Sequence, residues 1–404
     1  MRVPASKSIT NRELVLSAEA KGRSRLELGP LDPGDDVHAM YDALAALGHE
    51  TRWTGERIEI TPREIPYAHV AVDARDAGTV ARFVAALAAL YEIEVRIDGS
   101  PRMRGRPITS LVGALRGLGA TIEGDTLPLL IRGPLRGGEI SISGYESSQF
   151  ASALLLVGAS MQQGLRLRLI GDVVSAPFLE MTVSAVEKRG VHVERPGTRV
   201  FVIAPQRTKA RSLAIPGDVT AATYPAAAAA ILSGSVTVEN ASARYERGGQ
   251  GDARFFDLIE DMGCNVKRGA SSTTVQRRGA LYGITANVSD CSDVFPTLAV
   301  IATQALTPTE LEGLGHTRRQ ESDRPAVVAG AINALGGKAQ VFGDAIRIEP
   351  APLHDGVVDT AQDHRIAMAF SILGLQVPGI RVLGAESVAK TFPGFYDMLE
   401  ELRR

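Results

Sequence analysis

A short phrase recurs along this 404-residue chain at a nearly constant interval. In each copy an apolar helical pattern ends in a glycine, and a stretch typical of a β-hairpin follows. The glycines are Gly48, Gly119, Gly190, Gly263 and Gly336, so successive copies lie 71 to 73 residues apart. Glycine is common directly after a helix, because it adopts a positive φ without a Cβ clash. The spacing predicts a chain built from repeated structural units.

A second set of helices follows the same period. Their segments are rich in alanine and other apolar residues and read NRELVLSAEA, TVARFVAALAAL, SQFASALLLVGA, TYPAAAAAIL, DVFPTLAVIA and HRIAMAFSILGL. Because they carry few polar side chains, we expect these helices to be buried and the amphipathic helices to lie outside them. The unit is helix, strand, helix and hairpin. About six such units predict an α/β fold with three units in each of two domains.

The two predicted domains meet near residues 211–217. The last amphipathic segment, FPGFYDMLEELRR, reaches Arg404 before any hairpin follows it. We therefore expect the N-terminal strand to return and close the last unit.

Charge and cysteine content limit the classes of function. The chain has 44 Lys and Arg against 46 Asp and Glu, so no general attraction to nucleic acid or membrane surfaces is expected. Its two cysteines, Cys264 and Cys291, lack metal-ligand spacing, and no apolar run is long enough to span a bilayer. We expect a cytoplasmic monomer without a metal or cofactor.

Compact polar groups stand where the alanine-rich helices begin. They read PASKSITNR, DAGTVAR, ESSQF, GDVTAAT, SDCSDVF and QDHR. Helix N-termini offer free N–H groups and a partial positive charge, so several of them together predict a site for small anionic substrates between the domains. Ordinary capping explains Ser, Thr and Asp at such places. It does not explain the neighbouring cations Lys7, Arg12, Arg82 and Arg365.

These motifs resemble those of the 5-enolpyruvylshikimate-3-phosphate synthase family along nearly the whole chain. VPASKSITNR is similar to the opening PGSKSxxxR motif, DAGTVAR to NAGTxxR, GSPRMRGRPI to an arginine-bearing loop, and ESSQFASALL to the SSQ motif. GDVTAATY, SDVFPTLAV, RRQESDR, DHRIAMAF and KTFPGF follow in family order. The resemblance implies two domains, each with three βαβαββ units around buried helices, and an active site in the cleft between them. The first domain would span residues 7–212, and the second residues 1–6 and 213–404.

The resemblance also implies a reaction and its residues. The 5-hydroxyl of shikimate 3-phosphate would add to phosphoenolpyruvate, and phosphate would leave from a tetrahedral intermediate. The catalytic residues would be Asp293 as the base, Glu321 and Lys390 as proton donors and acceptors, and Lys7. Phosphoenolpyruvate would be bound by Lys7, Gly78, Arg102, Gln149, Arg324, Arg365 and Lys390. Shikimate 3-phosphate would be bound by Lys7, Ser8, Arg12, Ser147, Ser148, Gln149, Ser175, Asp293 and Gln320.

Some positions depart from the family pattern. Arg75 and Asp76 stand where the family has Gly-Asn, Gln320 where it has lysine, and Phe178 where it often has tyrosine. We also expect the closing hairpin to lack one strand. These departures leave open a weakly active or non-catalytic anion-binding relative. A second alternative is the sister enzyme that uses UDP-N-acetylglucosamine, although that enzyme commonly has a cysteine in the loop that here reads GSPRMRGRPI.

Overall fold

Two compact units divide the chain in the computed structural model, which describes residues 1–63, 68–244 and 246–403. The N-terminal unit consists of Ala5–Ile215 with Arg247–Gly249. The C-terminal unit consists of Met1–Pro4, Pro216–Glu246 and Gln250–Arg404.

The predicted domain limits differ from these units at three places. Residues 5–6 and 213–215 lie in the N-terminal unit, as does the short segment 247–249. Residues 212–214 belong there because they form a strand beside residues 24–27. Positions 64–67, 245 and 404 of the predicted domains fall outside the described residues.

The N-terminal unit contains helices and short strands in alternation. Its helices are α1 (Lys7–Ala18), α2 (Asp35–Ala46), α3 (Gly78–Ala88), α4 (Pro101–Arg104), α5 (Thr109–Gly117), α6 (Ser148–Val157) and α7 (Ala176–Lys188). Its strands are β1 (Ala20–Lys21), β2 (Ser24–Glu27), β3 (Glu50–Thr54), β4 (Arg57–Thr61), β5 (His69–Asp73), β6 (Glu94–Asp98), β7 (Thr121–Glu123), β8 (Leu129–Arg132), β9 (Gly138–Ser143), β10 (Leu165–Ile170), β11 (Val200–Ile203), β12 (Thr208–Lys209) and β13 (Ser212–Ala214).

The C-terminal unit repeats this alternation. Its helices are α8 (Val219–Ile231), α9 (Arg254–Asp261), α10 (Phe295–Ala302), α11 (Arg324–Ala334), α12 (His364–Leu373) and α13 (Phe395–Leu402). Its strands are β14 (Ser235–Val238), β15 (Asn265–Arg268), β16 (Thr273–Gln276), β17 (Thr285–Asn287), β18 (Thr309–Glu312), β19 (Lys338–Phe342), β20 (Ala345–Glu349), β21 (Gly356–Asp359) and β22 (Ile380–Leu383).

One sheet plan recurs in both units. The sheets β13-β2-β4-β3, β5-β6-β8-β7 and β17-β18-β20-β19 each join a parallel pair to an antiparallel hairpin. The sheet β9-β10-β11 keeps the parallel pair with one antiparallel partner, and β14-β16-β15 is antiparallel throughout. The predicted α/β fold is therefore confirmed.

The N-terminal residues correct one expectation. Met1 donates from its amino group to the Thr237 carbonyl over 2.9 Å, and Glu239 N–H donates to the Met1 carbonyl over 3.0 Å. The Asn240 side chain holds Val3 through both its N–H and its carbonyl. The N-terminal segment thus lies beside β14 and does not close the last unit. In the described residues, the last sheet is the parallel pair β21-β22 alone.

The predicted roles of the two helix sets are confirmed. Every residue of α3, α8, α10 and α12 is buried. The five repeat glycines have φ between 82° and 110°, and each lies two residues beyond the end of α2, α5, α7, α9 or α11. Each unit has its own hydrophobic core. The polar starts of the buried helices are therefore fixed by rigid packing, which positions the candidate site.

Within the described ranges, no helix is both long and apolar enough to cross a membrane. The same residues contain no group of His, Cys, Asp and Glu side chains arranged to hold a metal ion.

Candidate active site

Arg324 is the centre of a charged cluster in the C-terminal unit. It is the first residue of α11, and its side chain is 0% exposed. Its Nε donates to Asp363 Oδ2 over 2.8 Å, Nη1 to Asp293 Oδ1 over 3.0 Å, and Nη2 to Glu321 Oε2 over 2.9 Å. Nη1 also donates to the Gln320 side-chain oxygen. The three carboxylates are matched by three cations, since Arg365 also pairs with Asp293 and Lys390 with Glu321. Removing a member of this network would therefore leave a buried charge uncompensated.

Asp293 is shared between two arginines. Its Oδ2 accepts from Arg365 Nη2 over 2.6 Å, while its Oδ1 accepts from Arg324. Asp293 lies in the 3-10 turn Ser292–Val294 that leads into α10, and the residue at the helix N-cap is Val294. Asp293 therefore does not cap α10 with its side chain. Its side chain is 24% exposed, so it is the more accessible end of this cluster.

Glu321, which accepts a hydrogen bond from Arg324, also forms an ion pair with Lys390. Lys390 Nζ lies 3.5 Å from Glu321 Oε1, and both side chains are largely buried. Lys390 ends the 3-10 segment Ala385–Lys390, and Glu321 precedes α11 by three residues. A carboxylate and an ammonium this close can pass protons to a ligand at their exposed edge.

The cluster alters the protonation of its members. Burial acts to lower the pKa of Arg324, but the charges of Asp363, Glu321 and Asp293 raise it above its usual range. Arg365 behaves likewise: burial lowers its pKa, Asp293 raises it, and the net shift is upward. Both guanidinium groups therefore stay charged. They are fixed positive charges suited to carboxylate or phosphate groups.

Asp252 is a buried carboxyl group that no sequence motif indicated. It lies in the 3-10 turn Gly251–Ala253, and the Thr220 hydroxyl donates to its Oδ2. Burial, with the charge of Asp293, raises its pKa to about 7, against the opposing charge of Arg365. Asp252 thus belongs to the electrostatic surroundings of the arginine cluster.

The start of α1 places Lys7 in the N-terminal unit. Lys7 Nζ lies 3.0 Å from Asp36 Oδ2 in the first turn of α2, and the Asp36 side chain is 3% exposed. Asn11 donates to the Asp36 carbonyl and, over 2.8 Å, to the Thr79 hydroxyl in the first turn of α3. The starts of α1, α2 and α3 are therefore joined in one polar network.

Gly78 begins α3 beside two guanidinium groups. A Cβ at this position would lie 2.6 Å from Arg82 Nη1 and 3.1 Å from Arg106 Nη1. Arg82 Nη1 also donates to the Gln149 side-chain oxygen over 2.7 Å. Gln149 belongs to α6, whose N-cap Ser147 accepts from the Gln149 backbone N–H. Glycine keeps this cationic corner open, which suits an anion at the α3 N-terminus.

Arg102 lies close to Asp76, one of the departures noted in the sequence. Its Nη2 donates to Asp76 Oδ2 over 2.8 Å, and its Nε to Oδ1 over 3.3 Å. Both side chains are partly exposed, at 30% and 38%. The neighbouring departure, Arg75, pairs with Asp42 over 2.5 Å and has a positive φ of 49°. The charge pair at 75–76 is therefore balanced by partners on other elements.

Arg12 is 1% exposed and lies between two aromatic rings. Its Cζ is 5.3 Å from the Phe83 ring centroid and 5.8 Å from that of Phe178. Its N–H groups donate to Thr182 Oγ1, the Ser8 carbonyl, Ser152 Oγ and the Phe178 carbonyl. Burial lowers its pKa to about 9. Because its N–H groups are occupied by protein acceptors, the proposed contact with shikimate 3-phosphate would need some of these bonds to exchange.

The sequence-predicted residues thus fall into two sets. The C-terminal unit brings together Asp293, Gln320, Glu321, Arg324, Arg365 and Lys390. The N-terminal unit holds Lys7, Ser8, Arg12, Gly78, Arg102, Ser147, Ser148, Gln149 and Ser175. Ser175 precedes α7 with a positive φ of 52°, and its side chain makes no capping bond.

Sequence reasoning did not assign several residues that the structure brings to these clusters. Asp363 directly precedes His364, so the period of the helix starts could have identified it. Arg82 was recognised as a cation and Arg106 lies in the arginine-bearing loop GSPRMRGRPI, but neither received a role. Asp36 and Asp252 have no repeating signal, because each contributes through a contact with a distant helix start.

The chain matches the family described as EPSP synthase (3-phosphoshikimate 1-carboxyvinyltransferase) over residues 1–399. It belongs to the EPSP synthase family. A 3-phosphoshikimate 1-carboxyvinyltransferase of Methanosphaerula palustris is 38% identical to it, with 98% of this chain and 95% of the relative covered. One of Nostoc sp. is 35% identical, with 98% and 94% covered.

Solved structures show the same fold. EPSP synthase from Acinetobacter baumannii has a TM-score of 0.80 at 23% identity, with 100% of this chain and 95% of that chain covered. The enolpyruvyl transferase NikO from Streptomyces tendae has a TM-score of 0.76 at 18% identity, with 100% and 94% covered. The chain therefore has the fold of these two proteins.

Proposed function

We propose that this EPSP synthase family member transfers the enolpyruvyl group of phosphoenolpyruvate to the 5-hydroxyl of shikimate 3-phosphate and releases phosphate. Family membership favours this acceptor over UDP-N-acetylglucosamine. The observation that carries the proposal is the cluster of Asp293, Glu321 and Lys390 around two buried arginines. It combines fixed positive charge with groups that can accept and donate protons.

Asp293 is proposed as the base. The 5-hydroxyl oxygen would bond to C2 of phosphoenolpyruvate and lose its proton to Asp293, while C3 gains a proton. In the structure Asp293 accepts bonds from Arg324 and Arg365. A substrate anion that takes over some of these N–H groups would leave the Asp293 carboxylate available to the hydroxyl.

Glu321 and Lys390 are proposed to move the C3 proton. One of them would deliver a proton to C3 when the tetrahedral adduct forms. When phosphate leaves, the C3 methyl group would return a proton and the double bond would re-form. The 3.5 Å contact between Lys390 Nζ and Glu321 Oε1 supports this exchange, because the two groups can share one proton.

The remaining predicted residues are proposed to bind the two anions. Arginine presents parallel N–H groups that match a carboxylate or phosphate, which supports Arg102, Arg324 and Arg365 as ligands of phosphoenolpyruvate. Lys7 is proposed to neutralise part of the negative charge of phosphoenolpyruvate. Ser8, Ser147, Ser148, Ser175 and Gln320 stay predicted ligands of shikimate 3-phosphate. A cytoplasmic monomer also stays a prediction.

Phosphate release by the purified protein tests the proposal. Phosphoenolpyruvate is supplied with shikimate 3-phosphate or, in parallel, with UDP-N-acetylglucosamine. Release that depends on shikimate 3-phosphate alone is expected. Phosphate release with UDP-N-acetylglucosamine would contradict the proposal that shikimate 3-phosphate is the acceptor. A folded protein that releases phosphate with neither acceptor would favour a relative that binds anions without catalysis.

A further inference from the structure

Asp76 places a negative charge within a cationic part of the N-terminal unit. It lies two residues before α3, whose first residue, Gly78, has the guanidinium groups of Arg82 and Arg106 close by. Arg102, which lies on α4, donates two hydrogen bonds to the Asp76 carboxylate. The Ser100 hydroxyl, at the N-cap of α4, also donates to Asp76 Oδ1.

The geometry makes Asp76 resemble a bound anion. A carboxylate that accepts from both Nε and Nη2 of an arginine occupies the side of the guanidinium fork that an incoming carboxylate or phosphate would use. Because the pair is 30% and 38% exposed, an outside anion can reach it. Such an anion must either displace Asp76 or bind with fewer contacts, and it is repelled by the Asp76 charge in both cases.

We propose that Asp76 competes with phosphoenolpyruvate for Arg102 and thereby weakens binding of that substrate. This inference rests on the proposed function, in which Arg102 binds phosphoenolpyruvate. Asp76 is then a residue that sets affinity and takes no part in bond making. Its effect should appear in the KM for phosphoenolpyruvate and leave kcat unchanged.

The variant Asp76→Asn tests the inference. Asparagine has the same shape and keeps an acceptor for Ser100 or Arg102, but it lacks the charge. We expect the KM for phosphoenolpyruvate to fall about two- to fivefold, the range that a partly exposed ion pair implies. The KM for shikimate 3-phosphate should stay the same. Added salt should reduce the difference in the KM for phosphoenolpyruvate between Asp76→Asn and the wild-type protein, because ions screen the charge of Asp76.

Asp98→Asn is the matched control. Asp98 pairs with Arg104 through two contacts of 2.8 Å, and Arg104 lies on α4 with Arg102. The control removes an equal charge from a neighbouring ion pair without changing the partner of Arg102. It should leave the KM for phosphoenolpyruvate at its wild-type value.

An unchanged KM in Asp76→Asn would overturn the inference, and a raised KM would make Asp76 a residue that positions Arg102. Arg102→Ala separates these failures from a failure of the proposed function. If Arg102→Ala raises the KM while Asp76→Asn does not lower it, the inference alone fails. If Arg102→Ala has no effect, the assignment of Arg102 fails. Calorimetric titration with phosphoenolpyruvate makes the same comparison without turnover. If the wild-type protein and Asp76→Asn are both inactive but the variant binds phosphoenolpyruvate more tightly, the inference holds and the proposed function fails.

Discussion

Arg365 Nη2 donates to Asp293 Oδ2 over 2.6 Å, although the two residues are 72 positions apart. That separation is one period of the repeat. Both residues lie where a buried helix begins, Asp293 before α10 and Arg365 in α12, and these helices pack against each other. The repeat therefore brings equivalent helix starts together. Their polar residues form the candidate site within the C-terminal unit.

Replacing the proposed base should stop turnover while leaving the substrates bound. In Asp293→Asn we expect kcat to fall by about 10²- to 10⁴-fold, the usual contribution of a general base, with a much smaller change in KM. Steady-state kinetics of phosphate release measure both values. Asp290→Asn is the control, since Asp290 pairs with Arg254 outside the cluster. Unchanged turnover in Asp293→Asn would remove Asp293 from the role of base.

Arg102 should act on one substrate. Arg102→Ala is expected to raise the KM for phosphoenolpyruvate by about tenfold or more, because a charged hydrogen bond contributes roughly 1.5–3 kcal/mol. Arg102→Lys keeps the charge but loses the two-pronged geometry, so its effect should be intermediate. Arg104→Ala on the same helix is the control. Equal KM values for Arg102→Ala and wild type would exclude Arg102 from this site.

Arg324 should be essential for stability as well as for binding. Arg324→Met leaves Asp293, Glu321 and Asp363 without their shared cation. The free energy of unfolding should fall by about 3–5 kcal/mol, the cost of breaking a buried ion pair. Urea denaturation followed by circular dichroism measures this change. Arg318→Ala breaks a partly exposed pair with Asp323 and should cost about 1 kcal/mol or less; equal losses in both variants would contradict the central role of Arg324.

Asp252 should make stability depend on pH. Its pKa is raised from 3.8 to about 7, so between these values the folded protein holds a proton that the unfolded chain has lost. The stability from this group is present below pH 3.8 and is lost as the pH rises through about 7, at up to about 1.4 kcal/mol per pH unit. Asp252→Asn should therefore lose less stability than wild type between pH 5 and pH 8. Urea midpoints at both pH values test this, and parallel losses would refute it.

Local patterns in the sequence were sufficient for the repeat and its helices. The glycines at 48 and 119 adopt positive φ values, as expected from a helix end that only glycine adopts at low cost. The featureless apolar faces of α8 and α12 are buried, as their composition requires. The family motifs located Asp293, Glu321 and Lys390, which the structure brings to one cluster.

Partners distant in the sequence were decided by tertiary structure alone. The sequence indicated cations and carboxylates but not their pairing, so the contacts of Arg102 with Asp76 and of Lys7 with Asp36 could not be read from it. The sequence also predicted the wrong position for the N-terminal strand, because a strand can pair with any unpaired strand edge. In the structure, two hydrogen bonds between the Asn240 side chain and Val3 hold the N-terminal segment beside β14. Helix and turn propensities arise from neighbouring residues and are therefore present in the sequence. Ion pairs and sheet partners depend on which of many compatible groups the packed helices bring within a few ångströms.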